Sequence, residues 1–171
     1  LRNSIVYDWH LKNSFVDHIS DANFNLDNFK YANFKEFGDF ANQAFEVEKT
    51  KESIVFVRDG GIYLDTKKNT TLAKTYILNE NGFEFAIDLK TEAKEKFEYI
   101  MEHNFHFADY EKVLINGVVL GQEGVLQNTQ ILEIEDLLLN QKIIIQIQVP
   151  CDIYYFQLKT LSQSEHGFDL S

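Results

Sequence analysis

Between Tyr7 and His18 the sequence reads YDWHLKNSFVDH, which gathers two Asp–His neighbourhoods and the chain's only Trp into twelve residues. Asp8, His10, Asp17 and His18 are side-chain types that hold zinc or a similar ion. On a strand Asp8 and His10 share a face, whereas adjacent Asp17 and His18 point to opposite faces. That spacing fits no metal motif. No metal is expected there, and the stretch reads as hydrogen-bonded polar residues at a packed junction. The carboxylate-rich run from Asp17 to Asp27 permits Ca²⁺ without specifying it.

A second cluster is Glu102-His103-Asn104-Phe105-His106. If residues 96 to 107 form a strand, Glu102, Asn104 and His106 share one face, where they could hydrogen-bond sugar hydroxyls or simply face solvent. Ser162, Ser164, Glu165 and His166 offer the residue types of a hydrolase triad. Sequence neighbours rarely assemble one, because triads are built from separate elements. The glycines at 117, 121 and 124 precede no helix and read as turn glycines. Carboxylates for a glycosidase acid/base pair are abundant, but no spacing sets two of them face to face.

The elements that must carry these residues are mostly strands. Fifteen Phe, eight Tyr and one Pro in 171 residues favour a strand-rich chain of single-domain size. From about residue 46, apolar runs alternate with hairpin signals at Asp59-Gly60-Gly61, Asn79 to Gly82 and Asn116-Gly117. Phe83, Phe85, Ile87 and Leu89 alternate with Glu84, Ala86 and Asp88, and Ile143, Ile145, Ile147 and Val149 alternate with Ile144, Gln146 and Gln148. Before residue 46, Phe24, Phe29, Phe34, Phe37, Phe40 and Phe45 follow no regular period. They predict a loop with one or two helical turns, pinned to the body of the domain by aromatic rings. Hairpin-linked strands without βαβ alternation indicate an antiparallel sandwich or barrel.

The net charge of −11 argues against nucleic acid as a partner, since phosphates require Lys and Arg. No run approaches the roughly 18 apolar residues of a membrane helix. With Cys151 alone, neither an intrachain disulfide nor a cysteine metal cage can form. No secretory leader pattern opens the chain. These features set the expectation of a cytoplasmic protein with no cofactor. The start LRNSIVYDW, with Met101 the only Met, reads as the interior of a longer polypeptide.

Five phrases resemble one family in order. VYDWHLKNSFVDHI (Val6 to Ile19), EFGDFANQAFEV (Glu36 to Val47), RDGGIYL (Arg58 to Leu64), MEHNFHF (Met101 to Phe107) and LSQSEHGFDL (Leu161 to Leu170) are similar to the C-terminal domain of glycoside hydrolase family 57 α-amylases and 4-α-glucanotransferases. The resemblance implies an all-β, antiparallel β-sandwich of the galactose-mutarotase-like supersandwich type, preceded by an irregular aromatic-rich segment. It also implies that residues 1–171 form a single accessory domain of a larger enzyme. In that family the nucleophile Glu and the acid Asp lie on an N-terminal (β/α) barrel, so no catalytic residue carries over to this chain.

The expected function is therefore a non-catalytic domain of an α-glucan-active hydrolase or transferase, supporting the barrel of the same polypeptide and contacting glucan. Tyr7, Asp8, Trp9, His10, Asp17 and His18 are the candidates for the domain junction, with Trp9, Tyr7 and Phe15 partly exposed. Glu102, Asn104 and His106 are the candidates for carbohydrate contact. The alternatives are a stand-alone carbohydrate-binding module, marked by an exposed aromatic platform, and a mutarotase-like enzyme, marked by a His–Glu pair facing one pocket.

Overall fold

The computed structural model describes residues 9–121 and 123–158, and the backbone of Leu161–Ser164 and Gly167–Leu170. Antiparallel strands dominate it, and they fall into two compact units, Asp8–Asn104 and the residues from Phe105 onward. No helix among the described residues is long and apolar enough to cross a membrane.

The first unit runs β1 (Val16–Ser20), a short helix α1 (Leu26–Lys30), β2 (Glu46–Lys49), β3 (Ser53–Tyr63), β4 (Lys67–Asn79), β5 (Gly82–Thr91) and β6 (Glu98–Glu102). Strands β2 to β5 form a four-stranded meander, and β1 pairs with β6 as a separate two-stranded layer. The two layers are joined by a core of Ile19, Phe40, Ile62 and Leu72, each 2% exposed or less. Each such side chain contributes about 1.5–3 kcal/mol by leaving water. The alternation in β5 survives from Phe85 onward: Phe85, Ile87 and Leu89 are half-buried between exposed Glu84, Ala86 and Asp88, whereas Phe83, expected on the same buried face, is 47% exposed.

The irregular aromatic segment is also as expected. Phe24, Phe29 and Phe34 form a ring cluster around α1, whose start is closed by a reciprocal Asn25–Asn28 capping box. The phrase from Glu36 to Phe40 stitches the layers together. Phe37 N–H donates to the Ile19 carbonyl, Tyr63 N–H donates to the Phe37 carbonyl, and Gly38 bridges Ile62.

Two turn readings fail. Asp59-Gly60-Gly61 is not a hairpin but the interior of β3, which continues to Tyr63 and turns at residues 64–66. The glycines are there for proximity, not for a turn. A Cβ on Gly60 would collide with the Asp39 carboxylate, and the Gly61 N–H donates to Asp39 Oδ1 at 2.9 Å. Gly124 likewise lies within a strand, beneath the Tyr155 ring. The hairpin of Asn79 and Gly82 is as expected.

The second unit contains a 3₁₀ turn (Tyr110–Lys112), β7 (Val113–Ile115), β8 (Val118–Val119), β9 (Glu123–Asp136) and β10 (Gln141–Phe156), ordered β10-β9-β7-β8. β11 (Leu161–Ser164) pairs with β12 (Gly167–Leu170). The β7–β8 turn carries Asn116 at φ 48° and Gly117 at φ 78°, the two positive values that a type I′ hairpin requires. Val113, Ile115, Leu132 and Ile134 form this unit's core. β10 is an edge strand whose register slips between Gln146 and Cys151, around Pro150, which has no N–H for a ladder. Its apolar alternation is therefore only partly covered. Ile145 and Ile147 are half-buried, but Ile143 and Val149 stay 40% and 72% exposed.

Candidate functional site

The densest polar chemistry lies around the β1–β6 pair, within the first unit. Because β1 is a strand, Asp17 and Ile19 face the four-stranded sheet, while Val16, His18 and Ser20 face the aromatic segment. The expected split of Asp17 from His18 is thus realised, and each becomes the centre of its own network.

On the inner face, Lys74 Nζ lies 2.6 Å from Asp17 Oδ2, and the Tyr99 hydroxyl donates to Asp17 Oδ1 at 2.6 Å. Lys74 also donates to the Phe15 carbonyl at 2.9 Å and sits over the Phe45 ring at 4.6 Å. The Asp17 and Lys74 side chains are 1% and 9% exposed, so this is a buried ion pair that ties one layer to the other. Burial and the Asp17 charge push the Tyr76 phenol up to about 12 and hold the Tyr99 phenol far above its ordinary value.

On the outer face, fully buried His18 bonds at both ring nitrogens. Nδ1 lies 2.7 Å from Glu36 Oε2 and Nε2 lies 3.1 Å from Glu102 Oε2. Glu36 is held by backbone N–H groups of Ile19 and Gly38, both donating to its Oε1 at 2.9 Å. His10 Nε2 approaches the same Glu102 oxygen at 3.3 Å. The other Glu102 oxygen accepts from Lys12 at 3.2 Å and from the Asn104 amide at 2.7 Å. Burial works against the Glu102 charge, but the bonds from His18 and Asn104 and the Lys12 charge outweigh it and bring Glu102 down to about 2. Burial likewise works against His18 protonation, and bonds to Glu102 and Glu36 overcome it, raising His18 above its ordinary 6.5.

The sugar-facing row anticipated at Glu102, Asn104 and His106 does not form. β6 stops at Glu102 because β1 begins at Val16, its last pairing partner. Beyond that point Asn104 turns its hydrogen bonds to the Asn13 carbonyl and to Ser14. Glu102 is 6% exposed and turned to His18. His106 belongs to the second unit, where it lines a depression of about 150 Å³ with Phe105, Phe107, Asp136 and Gln141. Of the junction candidates, Asp17 and His18 are interior and His10 is buried, whereas Trp9 is 44% exposed. Tyr7 and Asp8 lie outside the described residues, as do the side chains of Ser162, Ser164, Glu165 and His166. Glu36 and Lys74 were not singled out from sequence. Lys74 carried a signal, a lone charge on the Leu72-Tyr76 face of a strand; Glu36 carried none.

Chemically, these groups are already spent on one another. Among the described residues the one buried side-chain polar atom without a hydrogen bond is Ser20 Oγ. Two surface depressions hold about 150 and 120 Å³, below the roughly 300 Å³ at which ligand clefts begin. Neither is lined by the His18 network.

Comparison with known proteins agrees with this geometry. The family model described as "Alpha-amylase/4-alpha-glucanotransferase, C-terminal" matches residues 1–171. A 4-α-glucanotransferase of Thermococcus litoralis is 28% identical over 99% of this chain, and an α-amylase of Pyrococcus furiosus is 24% identical over 99%. This chain spans 24% of each relative's length. The crystal structure of the T. litoralis 4-α-glucanotransferase superposes with a TM-score of 0.83 at 28% identity, covering 99% of this chain and 25% of that one. The chain belongs to the C-terminal domain family of α-amylases and 4-α-glucanotransferases.

Proposed function

We propose that this chain is a non-catalytic accessory domain of an α-glucan-active enzyme and that it stabilises a catalytic barrel in the same polypeptide. One observation carries the reading. The groups competent for acid/base work, His18, Glu36 and Glu102, are bonded to one another, and neither of the two depressions is lined by them. Apolar groups, by contrast, stand at the surface. The β9–β10 turn is held by Asp136, which accepts from the Leu138 and Leu139 N–H groups. That turn presents Leu137, Leu138 and Leu139 at 48–60% exposure, a fixed apolar contact for a neighbouring domain. The test is deletion of these residues from the longer polypeptide that carries them. A lowered thermal midpoint of the remaining catalytic part is expected; an unchanged midpoint with unchanged activity contradicts the reading.

A second reading adds glucan contact in the unit from Phe105 onward. The Phe105 and Phe107 rings lie within 24° of parallel, Phe105 is 40% exposed, and His106, Asp136 and Gln141 line the same depression. Aromatic faces beside polar groups suit a sugar ring. Titration with maltoheptaose is expected to shift the backbone amides of Phe105 to Phe107; shifts confined to other surfaces, or none at millimolar sugar, remove it.

A further inference from the structure

We propose that His10, His18 and Glu102 form a binding site for a divalent transition ion of the zinc class, with the fourth position left to water.

The ring nitrogens carry the first part of the case. His10 Nδ1 faces the Leu11 carbonyl at 3.1 Å, and a carbonyl oxygen only accepts, so Nδ1 bears the proton. His18 Nδ1 faces the Glu36 carboxylate at 2.7 Å and is a donor for the same reason. Nε2 is then the nitrogen left for a metal, and an ion would bind there by replacing the proton that Nε2 shares with Glu102. Both Nε2 atoms are directed at one oxygen, Glu102 Oε2, at 3.3 Å and 3.1 Å. A histidine whose Nδ1–H is fixed by a carboxylate or carbonyl while Nε2 faces a shared centre is the arrangement of metal-bound histidines.

The distances fit as well. The three donor atoms lie within 4.8 Å of one another. Tetrahedral ligands bonded at about 2.1 Å stand roughly 3.4 Å apart, so an ion fits with little movement of the rings. The His10 and Glu102 side chains are 2% and 5% exposed and His18 is fully buried, which keeps competing water low. Two imidazoles with one carboxylate suit zinc better than Ca²⁺ or Mg²⁺, which take oxygen ligands. Coordination through Oε2 replaces its contacts with the two rings and leaves Oε1 to Lys12 and Asn104, so those two bonds survive. The ligands come from the loop before β1, from β1 itself and from β6, so the ion would clip the first residues of the unit to the β1–β6 pair.

The test uses the purified chain stripped with EDTA and then titrated with Co²⁺ and Zn²⁺. Trp9 is the chain's only Trp, with its ring 5.0 Å from His10 and 6.1 Å from His18, so its fluorescence reports an ion there. Expected are Co²⁺ visible absorption and Trp9 quenching that saturate at one equivalent and reverse on adding Zn²⁺. His10→Asn, which leaves both strands in place, is expected to weaken binding at least tenfold. In the unsubstituted chain, Zn²⁺ is expected to shift the Nε2 resonances of His10 and His18 and to spare His103 and His106. Absence of saturable binding below millimolar ion overturns the proposal. So do unchanged affinity in His10→Asn and Nε2 shifts at other histidines.

Discussion

At the scale of single residues, Asp17 and His18 show how adjacent side chains on a strand serve two separate networks. Lys74 is the sharper case, a lysine on the inward face of a central strand whose charge is met by Asp17 and by the Phe45 ring. Removing one partner of a buried pair strands the other charge. Lys74→Met is therefore expected to cost about 3–5 kcal/mol in urea unfolding, with Tyr99 losing its fixed orientation in near-UV circular dichroism.

The His18–Glu102 contact sets a pH optimum, with Glu36, His10 and Lys12 as the other charged or titratable neighbours. Glu102 is lowered on folding from 4.5 to about 2, so its contribution is present above pH 4.5 and is lost as pH falls towards 2. His18 is raised above 6.5, so its contribution is complete below pH 6.5 and is lost as pH rises through the folded value. Urea midpoints measured in EDTA are expected to peak between about pH 4.5 and 6.5 and fall on both sides. Glu102→Gln is expected to flatten the acid limb, which is worth on the order of 3 kcal/mol.

At the scale of elements, strands and turns with local signals were legible. Asn116-Gly117 forms its hairpin because positive φ at both positions is a local demand that Asn and Gly meet. Asp59-Gly60-Gly61 carries the same local signal but runs straight, because its glycines answer to Asp39, some twenty residues earlier in the chain. The candidate site failed to appear in sequence for a similar reason. His10 and His18 were visible as neighbours, but Glu102 arrives from β6, 84 residues after His18, and no local spacing contains it. The difference between glycines is measurable. Gly60→Ala drives a methyl into the Asp39 carboxylate and the Phe40 ring, and a cost of about 1–3 kcal/mol is expected. Gly82→Ala meets nothing within 4 Å and is expected to stay within about 0.5 kcal/mol of the unsubstituted chain. Equal losses at both positions would mean that contact with Asp39 and Phe40 does not govern Gly60.

At the scale of the whole molecule, an all-β chain of this family buries two apolar cores, leaves Leu137, Leu138 and Leu139 at the surface, and bonds His18, Glu36 and Glu102 to one another. That distribution is what the proposed supporting role rests on. The resemblance could be read from five phrases because several of them hold the layers together: Glu36 to Phe40 bridges β1 and β3, and Glu102 to Asn104 clamps Lys12 to Ser14. The most direct check is to incubate the purified 171-residue chain with maltoheptaose and resolve the products by chromatography. The substrate is expected to remain unconverted, with neither shorter nor longer glucans formed at any enzyme concentration. Release of shorter or transferred glucans by the unsubstituted chain, abolished in Glu102→Gln, would show that the His18–Glu102 network catalyses and would contradict a supporting role.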